Sequence, residues 1–398
     1  MPGLFHGMGW LENFERPGTK VMKSIFVFVD AMGWEILKDR PFLDDIIRTR
    51  VPLKTPLGYS SAAVPTILSG RVPSEHGHWS FFYYSPQTSP FKFLRWLSIL
   101  PEAITERGRV RNYLSKAVQK FLGYKGYFQL YNAPLKYIHL FDYCEKKDLF
   151  KPGGFNQGQG IFDVLHEKNI SFHVSNWRRP EQENLDTAMR EVGRDDINFA
   201  FIYLADLDGL LHALGTTHPK ISEKIQWYEE KIREMYEAVG GKDQVQLYVF
   251  SDHGQADVHA TIDLMSAIDK LGLAFGKDYV AFYDSTLARF WFLNTQAEET
   301  IRLLLHATIG GKILSEAELK ALGAYWADGR FGELIFLVDP GVLIIPSHMG
   351  VKPLAAMHGY HPNDPSADAM FLSNVSLEKK PAHLKDIFPL MVEKVFQH

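Results

Sequence analysis

The sequence predicts an α/β protein, a mostly parallel sheet flanked by helices, and three observations carry that prediction. Three short runs, Ser24–Val29 (SIFVFV), Asn198–Leu204 (NFAFIYL) and Gln244–Phe250 (QVQLYVF), are continuously apolar or rich in β-branched and aromatic residues, as strands covered on both faces must be. Helical patterns separate them. Each run is followed within a few residues by an acidic side chain: Asp30, then Asp206 and Asp208, then Asp252. In open α/β sheets, ligands bind at the carboxyl ends of the strands, so chemistry is expected there.

The elements follow in order. Met1 to Thr19 reads as an irregular arm. The first strand ends in Asp30, then Ala-Met-Gly, then a helix over Trp34–Lys38. Gly58 to His78 reads GYSSAAVPTILSGRVPSEHGH, with a short helix over Ser61–Leu68 closed by Gly70. Ser60 and Ser61 stand at its start, among unpaired N–H groups and the positive end of the helix dipole, a setting suited to an anion such as phosphate. Serine is also a preferred N-cap, and on its own Ser60 reads as a cap. The aromatic run Trp79, Phe81, Phe82, Tyr83 and Tyr84 fits either core packing or a pocket wall.

Ser85–Lys151 holds twelve Lys/Arg against five Asp/Glu, a balance of +7 in a chain whose total is −4. Within it Val110, Tyr113, Leu114, Ala117, Val118, Phe121 and Leu122 share one helical face, and Arg109, Arg111, Lys116 and Lys120 the other. This predicts an inserted helix packed on the main domain with a solvated basic face. A second reading makes it a cap that attracts an anionic or lipid-like substrate, or touches a membrane surface. The stretch GGFNQGQG, Gly153–Gly160, marks a boundary.

Beyond it the spacing predicts a helix over Ile161–Lys168, a strand over Ser171–Val174, and helices over Lys220–Val239 and Ile262–Leu271. Strands at Ala288–Leu293 and Glu333–Val338 with a helix at Glu298–His306 predict a smaller α+β subdomain. A strand at Ala369–Leu372 and a helix at Leu384–Phe396 close the chain. The predicted organisation is a catalytic core of 20–84, 154–277 and 351–398, a basic, helix-rich insertion at 85–153, and the α+β subdomain at 278–350.

Composition bounds the function. At 398 residues, 46% hydrophobic and 23% charged, the chain has an ordinary globular balance. A net charge of −4 makes general nucleic-acid binding unexpected. The single cysteine, Cys144, allows no intramolecular disulfide. No apolar run approaches the roughly 20 residues of a membrane span, and the first residues lack the basic and apolar regions of a signal peptide. The expected location is cytoplasmic.

The strand ends carry a constellation. Asp208 and His212, four apart, share a face if helical, so both can reach one ion. Asp252-His253 follows a strand, and His358 adds a further imidazole. Mixed carboxylate and imidazole ligands suit zinc or manganese better than magnesium or calcium.

These pieces in this order resemble the alkaline phosphatase superfamily, most closely its type I phosphodiesterase/nucleotide pyrophosphatase branch. The residues that carry the resemblance are Ser60 through Leu-Ser-Gly-Arg-Val-Pro-Ser-Glu-His-Gly, Asp208-x-x-x-His212-x-x-Gly215, Ser251-Asp252-His253-Gly254 and His358-Gly359-Tyr360. It covers most of the chain, with Ser85–Lys151 and Asp278–Gly350 unmatched in detail. The resemblance implies an alkaline-phosphatase-like fold and two divalent metal ions, zinc or alternatively manganese. It places Asp30, Asp252 and His253 on one metal together with the nucleophile, and Asp208, His212 and His358 on the other. Counting back ten residues from Gly70 makes Ser60 the nucleophile; Asp206 matches no ligand position.

The chain departs from the branch where proline and asparagine usually follow the nucleophile: here Ser61-Ala-Ala-Val intervenes before Pro65, so nucleotide specificity is not carried over. The sulfatase pattern is absent. The implied activity is metal-dependent hydrolysis of a small-molecule or lipid-linked phosphate ester, as a phosphodiesterase or pyrophosphatase, through a covalent phosphoserine intermediate. A phosphotransferase or phosphomonoesterase on the same site, and a non-catalytic phosphate- or lipid-binding member of the fold, are the alternatives. The oligomeric state is not legible.

Overall fold

The computed structural model describes residues 22–99 and 107–396; the predicted N-terminal arm lies outside them. A six-stranded sheet forms the centre, in the order Thr49–Leu53, Ala369–Ser373, Val245–Phe250, Lys23–Val29, Phe199–Leu204, Phe172–Val174. Lys23–Val29 runs parallel to both Phe199–Leu204 and Val245–Phe250, and Phe172–Val174 is parallel to Phe199–Leu204. Ala369–Ser373 is antiparallel to both its neighbours.

The period-2 geometry of a strand sorts the apolar runs into two faces. Ile25, Val27, Ile202, Leu247 and Val249 pack under the helices Glu181–Val192 and Pro219–Ala238. Phe26, Phe28, Phe201, Tyr248 and Phe250 point the other way, with Phe26 stacked on Tyr248 at 4.6 Å and Phe28 on Tyr203 at 4.7 Å between ring centroids. Both sets are almost fully buried. Burying each such side chain contributes about 1.5–3 kcal/mol.

A second sheet, antiparallel, orders Tyr279–Tyr283, Leu287–Phe292, Leu334–Val338 and Gly311–Ile313. Its Val280, Phe282 and Trp291 share one core with Phe82, Phe91, Phe128, Phe141 and Tyr143. The strands Phe82–Tyr84 and Phe141–Tyr143 pair antiparallel with each other.

Two expectations need correction. The segment read as a helix over Ile262–Leu271 begins as a strand, Ala260–Ile262, paired with Val342–Ile344, and only Leu264–Asp269 is helical. Asp263 is the N-cap, accepting from the Ser266 N–H, and so fixes the later start. The face of the insertion helix, Gly108–Leu122, is rotated from the expected one. Val118 is buried, Leu114 and Leu122 pack against the same core, and Lys116 and Lys120 are exposed, as expected; but Arg111 and Ser115 are buried as well, whereas Tyr113, Ala117 and Phe121 are exposed. Hydrogen bonds hold the rotated face. Arg111 Nη1 donates to the Ala133 carbonyl at 2.6 Å, and Ser115 Oγ accepts from the Leu130 N–H at 2.9 Å.

Among the described residues no helix is long and apolar enough to cross a membrane.

Candidate active site

Three neighbouring strands of the central sheet deliver the acidic groups to one edge. Asp30 directly follows Lys23–Val29. The turn after Phe199–Leu204 opens the helix Asp206–Leu214, which carries Asp208 and His212. Asp252 and His253 follow Val245–Phe250. His358 comes after the two-residue strand Ala356–Met357, which pairs antiparallel with Ala256–Asp257 just beyond His253.

The turn after Asp30 is tightly built. Ala31 sits at φ 61°, in the left-handed region, and its N–H donates to Asp252 Oδ1 at 3.2 Å. Gly33 lies against Gly254: a Cβ on Gly33 would fall 2.3 Å from the Gly254 Cα. Two glycines thus let the first and third strand ends approach closely enough for their carboxylates to share a site.

Ser60 opens the helix Ser60–Ser69 without capping it; Tyr59 takes the N-cap position. Its Oγ lies 3.0 Å from His253 Nε2. Ser61 is committed elsewhere, its buried hydroxyl donating to the Trp79 carbonyl at 2.7 Å. The rest of the motif points away from the site. His76 Nε2 lies 3.1 Å from Thr66 Oγ1, His78 Nε2 accepts from the Asn156 N–H, and Arg71 donates to the Gln159 carbonyl.

All six candidate ligands converge. Atoms of Asp208, His212 and His358 lie within 4.8 Å of one another, and so do atoms of Asp30, Asp208 and His253. Asp208 Oδ1 is 3.3 Å from His212 Nε2 and 3.8 Å from His358 Nε2. His253 Nε2 is 3.2 Å from Asp252 Oδ2 and 3.7 Å from Asp30 Oδ1. The rings of His253 and His358 stack at 3.7 Å. Asp208 therefore stands between both groups rather than in one alone. Asp206 lies apart, 3.6 Å from Lys224 on the surface.

The electrostatics ask for a cation. Burial, then the negative charges of Asp252 and Asp208, push the Asp30 carboxyl well above the usual carboxylate range. Burial pushes Asp252 up to about 7. Burial also opposes ionisation of Asp208, but the hydrogen bond with His212 and the charge of His358 outweigh it and hold the carboxyl low. Burial depresses His253, and more strongly His358. Asp30 Oδ1, Asp252 Oδ2 and His358 Nδ1 are buried without a hydrogen-bond partner. Against its burial, His212 is raised by the hydrogen bond with Asp208. Crowded buried carboxylates beside imidazoles, with orphaned polar atoms among them, are unfavourable alone and fit divalent cations.

Sequence reasoning missed the residues that hold these ligands. Tyr203 donates to Asp30 Oδ2 at 2.5 Å, Gln255 Nε2 donates to Asp208 Oδ1 at 2.7 Å, and His212 Nδ1 lies 2.8 Å from the Ala356 carbonyl. Tyr203 sits one residue before the end of its strand and Gln255 just after Ser251-Asp252-His253-Gly254, so their positions were the available signal. The site opens into a cavity of about 440 Å³ walled by Phe81, Tyr127, Tyr131, Phe150, Trp177 and Met349. Of the aromatic run, Phe81 lines this wall, while Trp79 and Phe82 are core.

Comparison with known proteins gives a consistent picture. A family model described as type I phosphodiesterase / nucleotide pyrophosphatase matches residues 24–361. Human ectonucleotide pyrophosphatase / phosphodiesterase 5 superposes with a TM-score of 0.66 at 14% identity, over 94% of this chain and 95% of that one. An inactive murine ectonucleotide pyrophosphatase / phosphodiesterase 5 in complex with AMP gives the same TM-score and coverage at 15% identity. At that identity the likeness shows the fold. No curated protein sequence matches the chain.

Proposed function

The chain belongs to the type I phosphodiesterase / nucleotide pyrophosphatase family, a family of phosphoric ester hydrolases, and from that premise we propose that it cleaves a phosphodiester or pyrophosphate bond of a small molecule with Ser60 as nucleophile. The observation that carries this reading is the position of Ser60 Oγ, 3.0 Å from His253 Nε2 at a helix start that faces the ligand cluster. Asp30, Asp252 and His253 would hold one divalent ion and Asp208, His212 and His358 the other, zinc or manganese by their donor set. When bound, such ions supply Lewis acidity toward the attacking and leaving oxygens of an in-line displacement.

The chain's own residues do the rest. Ser60 Oγ gives its proton to water and attacks phosphorus, the bond to the leaving oxygen breaks with its electron pair kept by that oxygen, and a phosphorylated Ser60 forms. Water then attacks phosphorus and frees the Ser60 hydroxyl. The N–H groups at the helix start offer donors to the phosphoryl oxygens. Tyr203 and Gln255 fix the Asp30 and Asp208 carboxylates, as the outer partners of metal ligands do. The aromatic walls exclude water and pack the non-reacting part of the substrate.

Ser60→Ala is expected to lower turnover of a bis-aryl phosphate by about a thousandfold or more, with the fold and metal content retained. A variant that kept wild-type turnover would remove Ser60 from the reaction.

A further inference from the structure

The rotated insertion helix leaves an unusual surface. Tyr113 and Phe121 of Gly108–Leu122 are each 74% exposed, and in the neighbouring segment Lys92–Ile99 Trp96 is 64% and Phe93 40% exposed. Phe93 and Phe121 meet edge to face at 5.1 Å, so the two elements form one continuous patch. Arg95 lies over the Trp96 ring at 5.0 Å. At 100° per residue, Arg109, Tyr113, Lys116 and Lys120 fall on the outward side, opposite buried Arg111, Ser115 and Val118. Neither element contains an acidic residue.

Large aromatics left in water on a monomer mark a binding surface. The chemistry selects the partner. Amphipathic rings interleaved with long cations, with no anion among them, match a bilayer interface: rings lie at headgroup depth while Lys and Arg reach anionic headgroups. The local balance of +7, in a chain that is negative overall, concentrates that attraction on this insertion.

We propose that the face formed by Phe93, Trp96, Tyr113, Phe121, Lys116 and Lys120 docks peripherally on a membrane surface rich in anionic lipid. The docking is interfacial and reversible, since it rests on side chains at the headgroup layer and not on a spanning helix. It holds whether or not Ser60 is the nucleophile, because none of these residues belongs to the ligand cluster.

Co-sedimentation of the full chain with vesicles of phosphatidylcholine, alone or mixed with phosphatidylserine, tests it. The wild type is expected to pellet with the mixed vesicles at least about tenfold more than with the neutral ones, and to be released by high salt. Lys116→Glu/Lys120→Glu and Trp96→Ala/Phe121→Ala, both surface changes with an expected unaltered melting temperature, should each abolish that preference. Equal pelleting on both vesicle types, or wild-type pelleting by the charge-reversed variant, would overturn the proposal. So would self-association that Trp96→Ala/Phe121→Ala relieves without vesicle binding, which would assign the face to a second copy.

Discussion

Glu145 is buried in the wall of the same cavity that holds Ser60, and burial pushes its carboxyl up to about 8. The unfolded chain should titrate it near 4.3. Between about pH 4 and 8 the folded state then keeps a proton that the unfolded state has released. Stability is therefore full below that window and falls as pH rises through it. Glu145→Gln removes the titration. Relative to wild type, the variant is expected to gain stability from pH 5 to pH 8, by a few kcal/mol in order of magnitude. Parallel melting curves of the two proteins across that range would show that Glu145 ionises as freely folded as unfolded.

At the scale of elements, the site depends on two strand-end turns touching through Gly33 and Gly254. Gly33→Ala places a methyl 2.3 Å from the Gly254 Cα and 3.2 Å from the Asp368 carbonyl, where backbone has to move. Overpacking of this kind costs about 1–3 kcal/mol. Here it also separates Asp30 from Asp252, so urea unfolding should show lower stability and activity should fall further than the stability loss explains. Unchanged activity would mean the turn has room to spare.

The elements also show where the sequence was legible. Lys23–Val29, Phe199–Leu204 and Val245–Phe250 were plain because strands covered on both faces admit little but apolar residues. Helical spacing put Asp208 and His212 on one face, and the resemblance, not the spacing, implied their role as ligands. The insertion helix misled because periodicity weighs side-chain polarity only. It could not register that Arg111 finds the Ala133 carbonyl and Ser115 the Leu130 N–H, partners distant in sequence. Tyr203 and Gln255 were hidden for the same reason, since a tyrosine in a strand reads as core until its hydroxyl is seen on Asp30.

At the scale of the whole molecule, one buried ion pair ties three parts together. Arg289, fully buried in the second sheet, donates to Asp284 Oδ2 at 2.8 Å, to the Phe82 carbonyl at 2.7 Å and to Ser80 Oγ at 2.9 Å. Asp284 and Ser80 line the cavity. Arg289→Met would leave Asp284 without its cation, at a cost of about 3–5 kcal/mol. The double variant Arg289→Met/Asp284→Leu should recover part of that in urea denaturation. A single variant as stable as wild type would show the pair to be dispensable.

The central claim is that Asp30, Asp208, His212, Asp252, His253 and His358, a cluster that Ser60 meets through His253, form a cage for two divalent ions. Elemental analysis after dialysis against zinc, for wild type and Asp208→Asn, tests it most directly. The account predicts two equivalents per wild-type chain and fewer than two in the variant, because Asp208 reaches both groups. A wild-type chain that retains no metal, or an Asp208→Asn chain that still holds two equivalents, would contradict it.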